Sequence, residues 1–383
     1  MRQIRQLQSN VLGAYICYEI DTDTEIDPNL FPSKDFRKIA HTLQYDHGYR
    51  EVVLKKEQLW STFQNLKGYG ETHTKPGSFE DHYNLMRKEF GFGLTNKEMS
   101  VYTAKDIKDD IDTLYEKGLP PGLSTGWSRL DEHFTLEKGQ LVVVTGVPNS
   151  GKSEFVDALM VNAINQHKWS AFWYSAENQP IQLHFEKLLS KISKKPFGEG
   201  WEGRMSQEVK DAYIEALSKK VYLSKVAKEM PTVDTMLHRI SSVRDNVDGL
   251  DCAIIDPWNS LIHKVSGGDS YTKYIQETLR RIGTFASHED IMIIVVAHPT
   301  KISMVDEKDQ TKGHRVVTPY DISDSHGWYD AADFILSVWR NPYKPKLPVQ
   351  IHTQKVRHKH LGETGTVELD YQNSTGIYTE RSW

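Results

Sequence analysis

The chain has 383 residues, about 38% of them apolar and 26% charged, a balance that suits a folded globular protein of more than one domain and excludes a disordered chain. The net charge of −5 excludes a global basic field, so any contact with nucleic acid falls to a local basic surface. No window approaches the roughly 18 consecutive apolar residues of a bilayer span. Met1–Gln8 lacks the apolar stretch of a secretory signal, and Cys17 and Cys252 are the only cysteines. A disulfide framework and a zinc ribbon are thereby excluded, a reducing compartment is expected, and no membrane partner is expected.

Residues 1–100 alternate short apolar runs such as Val11-Leu12 and Val52-Val53-Leu54 with turn signals at Asp27-Pro28 and Phe31-Pro32. They read as a small, mainly helical N-terminal domain without a catalytic constellation. Residues 101–122 read as a linker. Ile107, Ile111 and Leu114 give 104–117 the spacing of an amphipathic helix, and Gly118-Leu119-Pro120-Pro121-Gly122 breaks it. A helix so bounded is either an arm that docks on a neighbouring subunit or a first helix of the domain that follows.

Residues 123–383 form the large domain. Strands are predicted at Leu141–Thr145, Ser170–Ser175, Cys252–Ile255, Met292–Ala297 and Phe334–Trp339. Helices fall near 152–166, 180–193, 207–219, 232–245 and 271–287. Apolar strands alternating with helices predict an α/β fold with a mostly parallel sheet covered on both faces. Val349–Val356, Gly365–Tyr371 and Ile377–Thr379 are predicted as antiparallel strands closing one edge.

Chemistry concentrates where strands end. Gly146-Val147-Pro148-Asn149-Ser150-Gly151-Lys152-Ser153 leaves the first strand and opens a helix. The glycines let backbone amides turn toward phosphate, Lys152 reaches the β- and γ-phosphates, and the Ser153 hydroxyl ligates Mg2+. The helix start adds its positive dipole end. This octet implies a bound nucleoside triphosphate, ATP or another NTP or dNTP, with Mg2+. Leu250–Asp256 is an apolar strand ending in a carboxylate, which places Asp256 as the second Mg2+ residue. Glu177, after Tyr174-Ser175-Ala176, is placed to accept the proton of an attacking water; an acid in the N-cap region of the next helix, before Pro180, is the plainer alternative. His298, after Val295-Val296-Ala297, is a candidate γ-phosphate sensor or a structural histidine.

These residues also carry a resemblance. Gln140-Leu-Val-Val-Val-Thr-Gly-Val-Pro-Asn-Ser-Gly-Lys-Ser-Glu-Phe-Val-Asp-Ala-Leu159, Ser175-Ala-Glu-Asn178, Ile255-Asp-Pro-Trp-Asn259, Ala297-His-Pro299, Tyr320-Asp-Ile-Ser323 and Lys355-Val-Arg357 resemble the Twinkle and phage helicase-primase branch of the ring helicases, which share a RecA-like core with DnaB. The resemblance runs from about Ala104 to the C-terminus. It implies a RecA-like P-loop NTPase core and a homo-hexamer or heptamer translocating 5′ to 3′ on single-stranded DNA. It also implies primase, polymerase and single-strand binding protein as partners, and a cytoplasmic location in a bacterium or phage-infected host. It makes Arg357 the arginine finger that reaches a neighbour's nucleotide, with Lys355 assisting, and Arg340 and Tyr371 a clamp on the base. Ordinary strand packing is the alternative for Tyr371.

Residues 335–361 hold Arg340, Lys344, Lys346, Lys355, Arg357 and Lys359 and no Asp or Glu, which suits a surface that meets phosphate or a lysine-protected sheet edge. The resemblance places DNA-contacting loops at Lys301–Thr318 and Asp321–Trp328, with Lys301, Lys312 and Arg315 for charge and Ser323, Ser325 and Gly327 for hydroxyls and amides. Primer synthesis is not expected, because residues 1–100 hold no second cysteine for a zinc ribbon and no matching acidic metal site. Asn10-Val-Leu-Gly-Ala14, Phe31-Pro-Ser-Lys-Asp-Phe36 and His41 faintly resemble the helical N-terminal domain of DnaB-type helicases, which supports ring assembly and primase docking. A RecA- or RadA-like recombination ATPase and a nucleotide-gated scaffold that recruits a primase are the competing functions.

Overall fold

The structure is a computed structural model that describes residues 103–225, 230–247, 249–263, 270–300, 313–322, 326–344 and 346–381. The chain divides into two units, Met1–Glu116 and Lys117–Trp383. The expected N-terminal domain over residues 1–100 lies outside the described residues. Helix α1 (Lys108–Lys117) begins four residues later than its periodicity predicts and buries none of its side chains. Its apolar stripe is open, with Ile111 43% and Leu114 45% exposed.

The second unit is built on one nine-stranded sheet in the order β3-β2-β4-β5-β1-β6-β7-β8-β9. Strands β1 (Leu141–Thr145), β2 (Ala171–Ser175), β3 (Val221–Ser224), β4 (Cys252–Asp256), β5 (Met292–Ala297) and β6 (Phe334–Trp339) run parallel. Strands β7 (Val349–Val356), β8 (Gly365–Gln372) and β9 (Ile377–Glu380) continue antiparallel. Strands β1, β2, β4 and β5 are buried along their whole length, which is why they read as unbroken apolar runs instead of alternating ones.

Helices α2 (Ser128–Asp131), α3 (Lys152–His167), α4 (Ile181–Ser193), α5 (Gln207–Leu217), α6 (Val233–Asn246), α7 (Tyr271–Glu289) and α8 (His326–Ala331) complete the unit. Two apolar layers separate on the sheet's two faces. Phe155, Leu159, Leu188 and Leu217 pack with Val142, Trp173 and Ile254 on one face. Met236, Ile240, Ile275, Leu279 and Ile282 pack with Val143, Phe172 and Ile255 on the other. The starts of α5, α6 and α7 are set by Ser206, Thr232 and Ser270, whose hydroxyls accept the amides of Val209, Thr235 and Lys273.

The strand order has a functional consequence. From β1 the chain runs through α3 to β2, beyond β4 and β5, whereas β6 lies on the opposite side of β1. A crevice forms at the carboxyl edge of such a reversal, where ligands of open α/β sheets bind. Register brings the strand ends together there: Thr145 pairs Ala297, Ile255 pairs Val295 and Ser175 pairs Asp256.

Candidate active site

The loop from Gly146 to Gly151 wraps the end of β1. Gly146 has φ 150° and a side chain there would come within 2.3 Å of the Val338 carbonyl oxygen, so only glycine lets the loop approach β6 this closely. Asn149 and Gly151 are left-handed, at φ 62° and 94°. Pro148 and Asn149 form the exposed crest, whereas Ser150 is buried beneath it. Gly151 caps α3, so the first amides of that helix face the loop. The buried Lys152 ammonium donates to the carbonyls of Gly146 and Val147, each at 3.0 Å. Burial lowers its pKa, against the pull of Asp256 and Glu177.

Asp256 is buried at the end of β4. Its Oδ2 accepts from the Ser175 hydroxyl at 3.2 Å, and the nearby Ser153 hydroxyl favours the charged carboxylate. Oδ1 is buried without a hydrogen-bond partner among the described residues. Burial drives the pKa of Asp256 up to about 6. A serine hydroxyl beside a carboxylate with an uncompensated oxygen is a donor set that fits Mg2+, an ion bound by one or two carboxylates together with substrate phosphates.

Glu177 and His298 leave β2 and β5 at the same edge, with Oε1 and Nε2 3.3 Å apart. The Glu177 side chain is 56% exposed, open to the crevice, while His298 is 23% exposed. Burial and the Lys152 charge lower the His298 pKa, opposed by Glu177, so the imidazole is neutral near pH 7 and carries both a donor and an acceptor nitrogen.

Arg340 and Tyr371 lie beyond β6 and on β8, and the guanidinium stands 5.5 Å from the ring centre. The structure thus brings this predicted pair into direct cation–π contact. Burial raises the Tyr371 pKa to about 12, with the Glu154 carboxylate adding to the rise. Tyr378 packs beside Tyr371 at 5.0 Å and reaches the backbone of Gly151.

Arg357 and Lys355 are at the other edge of the sheet. Arg357 Nη1 pairs with Asp333 Oδ1 at 2.7 Å, and Nη2 donates to the carbonyls of Asp330 and Ala331 at 2.6 and 3.0 Å. Asp333 precedes β6, and its Oδ2 accepts the amide of Leu141, the first residue of β1. Lys355 donates to the Tyr329 carbonyl and lies 4.8 Å above that ring. A cleft of about 480 Å3 opens here, lined by Arg280, Asp330, Asp333, Arg357 and His358 among others. Neither Arg357 nor Lys355 is placed with Lys152 of its own chain.

The predicted DNA contacts divide. Lys301, Lys312, Ser323 and Ser325 lie outside the described residues. Arg315 forms a forked ion pair with Asp321, which holds the Asp321 carboxyl down to about 2 and engages the guanidinium inside its own segment. Gly327 is buried in α8, where a side chain would come within 2.7 Å of Gln276 Cγ and 3.3 Å of the Gln276 amide on α7. Close packing of α8 on α7 is reason enough for a glycine here. Trp328 is core, edge-on to Trp258 at 5.2 Å.

Glu154, Lys187 and Lys191 carry no role predicted from the sequence, yet they form a charged cluster beside the phosphate loop. The readable signal is the four-residue spacing of the two lysines, which puts both on one face of α4.

The profile of the DnaB-like helicase C terminal domain matches residues 122–380. The chain belongs to this family. A Twinkle homolog of Arabidopsis thaliana, described as chloroplastic/mitochondrial, is 34% identical over 294 residues, 74% of this chain and 40% of that protein. A probable plasmid replicative DNA helicase of Chlamydia psittaci is 24% identical over 367 residues, 89% of this chain and 77% of that protein. The chain therefore spans less than half the length of its plant relative. Among solved structures, one ATPase domain superposes with TM-score 0.58 at 19% identity, covering 72% of this chain and 99% of that domain. A DnaB-like replicative helicase, solved in a study of its interactions with primase, gives 0.57 at 16% identity, covering 99% of this chain and all of that one. These two likenesses confirm the RecA-like architecture of the DnaB family. No helix among the described residues is long and apolar enough to cross a membrane.

Proposed function

We propose that the chain is an NTP-driven, ring-shaped replicative DNA helicase, a homo-hexamer or heptamer that moves along single-stranded DNA and separates duplex. The observation that carries this reading is the division of the site. One edge of the sheet gathers Lys152, Ser153, Asp256, Glu177 and His298, and the opposite edge presents Arg357 and Lys355 beside an open cleft. Each half is chemically incomplete, and a second copy arranged head to tail supplies what the first lacks. Heterologous contacts of that kind close into a ring where the rotation between neighbours closes, and run on as a filament where it does not.

The chemistry follows from the side chains. Lys152 and the amides of the loop hold the β- and γ-phosphates. Glu177 takes a proton from water as its oxygen bonds to the γ-phosphorus and the bond to the bridging oxygen breaks, releasing the diphosphate. Bound Mg2+, held by Ser153 and Asp256, supplies charge neutralisation at the phosphate oxygens. Arg357 of one protomer stabilises the developing charge in the next, and Lys355 supports it. His298, in contact with Glu177, registers the presence of the γ-phosphate. Arg340 and Tyr371 grip the base.

Helix α1 with its open stripe serves as the arm between subunits, and residues 1–100 serve ring assembly and primase docking. Lys301, Lys312, Ser323 and Ser325 remain the DNA contacts of this reading, with polymerase and single-strand binding protein as further partners. The test is hydrolysis of NTP with and without single-stranded DNA, alongside unwinding of a forked duplex, with Lys152→Ala as control. Both activities are expected in the wild type and neither in the variant. Hydrolysis without unwinding would overturn the helicase reading in favour of a recombination-type ATPase. Electron microscopy with a non-hydrolysable nucleotide reads the subunit count.

A further inference from the structure

The cluster next to the phosphate loop has an arrangement that packing alone does not require. Glu154 sits in the first turn of α3, one residue after Ser153. Its Oε2 accepts from the buried Lys191 at 2.6 Å and its Oε1 from Lys187 at 2.9 Å. The Lys187 ammonium also donates to Asn178 Oδ1 at 2.9 Å, and Asn178 directly follows Glu177. A lysine can only donate, so this bond fixes which way the Asn178 amide faces. The Asn178 backbone amide is itself held by Ser175 Oγ, the hydroxyl that contacts Asp256. Lys187 thus grips the segment that carries the water-orienting glutamate.

The other end of the cluster touches the Arg340–Tyr371 pair. The turn from β8 to β9 passes over Lys191, so that a side chain on Gly376 would lie 2.6 Å from Lys191 Nζ and 3.3 Å from Glu154 Oε2. Glu154 also acts on the Tyr371 phenol, adding to the rise of its pKa. Contacts run from the turn beside that ring through Glu154 and Lys187 to Asn178. We propose that Lys187 is a positioning residue that ties engagement of the nucleobase at Arg340 and Tyr371 to the placement of Glu177 for hydrolysis. The burial of Lys187 opposes its charge, but Glu154 outweighs that and raises its pKa, so the ammonium stays protonated through the working range.

The inference rests on the site being an NTP hydrolase, and its test separates the two. The full-length protein with single-stranded DNA is assayed as wild type, Lys187→Met, Lys187→Arg and Asn178→Ala, with NTP and with inorganic tripolyphosphate, which has phosphates but no base. Lys187→Met is expected to lower kcat for NTP about tenfold, while KM stays within about twofold, the size of a coupling through such a network. Lys187→Arg restores most of the loss. With tripolyphosphate the wild type and Lys187→Met turn over alike. Asn178→Ala reproduces the loss, and the double variant adds nothing to it.

Wild-type kcat in Lys187→Met or Asn178→Ala overturns the inference. So does a loss equal for NTP and tripolyphosphate, or one that Lys187→Arg does not recover. If melting shows Lys187→Met to be unfolded, Asn178→Ala alone decides, because it leaves the Lys187–Glu154 pair in place. A wild type that hydrolyses no nucleotide overturns the reading of the site and this inference with it, whereas active wild type with an indifferent Lys187→Met overturns only the latter.

Discussion

Lys152 and Arg357 belong to opposite edges of one sheet: Lys152 follows the loop at the carboxyl end of β1, while Arg357 is paired to Asp333, whose second oxygen holds the amide at the beginning of β1. A five-residue strand separates the two, on the order of 17 Å at strand rise, so one chain cannot bring both to a single phosphate. If the site is shared between subunits, Lys152→Ala and Arg357→Ala should each be inactive alone, the arginine variant by about 10^3-fold in kcat. Mixing the two should restore part of the hydrolysis, because some hybrid interfaces combine an intact loop with an intact arginine. Steady-state hydrolysis across mixing ratios checks this, and a mixture as dead as its components would show that Arg357 does not act in trans.

Arg315 supplies a second test, because its charge is already matched by Asp321. Exposed pairs contribute roughly 0–1 kcal/mol, so Arg315→Ala should lower the melting temperature slightly. It should leave the salt dependence of single-strand binding unchanged, since a phosphate contact would reduce the slope by about one unit. Fluorescence anisotropy of a labelled oligonucleotide across a salt series measures it. A slope shifted toward zero would restore Arg315 to the DNA surface.

Much of the proposed catalytic edge was legible in the sequence because its residues are tied to local geometry. A fully buried strand followed by Gly146-Val-Pro-Asn-Ser-Gly-Lys152 has few alternatives, and Asp256, Glu177 and His298 each end a strand whose apolar run announces it. Strand β3 was missed because Val221–Ser224 is a short, half-buried edge strand flanked by lysines, with no apolar run to mark it. Helix α8 was missed because its six residues carry too little periodicity, and the Gly327 that reads as a loop glycine is there for contact with Gln276. The Glu154–Lys187–Asn178 cluster could be read only in fragments, Glu154 and Asn178 within the motif runs and Lys187 and Lys191 at helical spacing. Its members come from separate elements and meet only when α3 and α4 pack together.

Gly146 tests how tightly the loop is set against β6. Its φ of 150° and the Val338 carbonyl 2.3 Å from a modest side chain mean that Gly146→Ala must push the loop or the strand aside. Overpacking of that kind costs about 1–3 kcal/mol, so melting should shift downward by several degrees. If the loop holds phosphate as proposed, nucleotide affinity should fall further than stability, because the displaced backbone is the one that would meet the ligand. Titration with a fluorescent nucleotide analogue compares the two, and unchanged affinity in a destabilised variant would remove the loop from the binding site.

Asp256 gives the pH dependence. Burial raises its pKa from 3.8 to about 6, with Asp157 and Glu177 adding to the rise and the hydroxyls of Ser153 and Ser175 opposing it. The folded state therefore holds this proton more tightly than the unfolded chain. The associated stabilisation is complete below the ordinary carboxyl pKa of 3.8 and is lost as pH rises through about 6. Asp256→Asn, neutral at every pH, should melt higher than the wild type at about pH 8 in EDTA and lose that advantage near pH 4. Added Mg2+ should close the gap at high pH by stabilising only the wild type, since the amide has no charge to offer the ion. If Asp256 holds Mg2+ as proposed, activity should move the opposite way, with kcat/KM of the wild type declining below about pH 6 as the carboxylate is protonated. A melting difference between the two proteins that is flat across this range would mean that Asp256 is not the buried, uncompensated carboxylate described here.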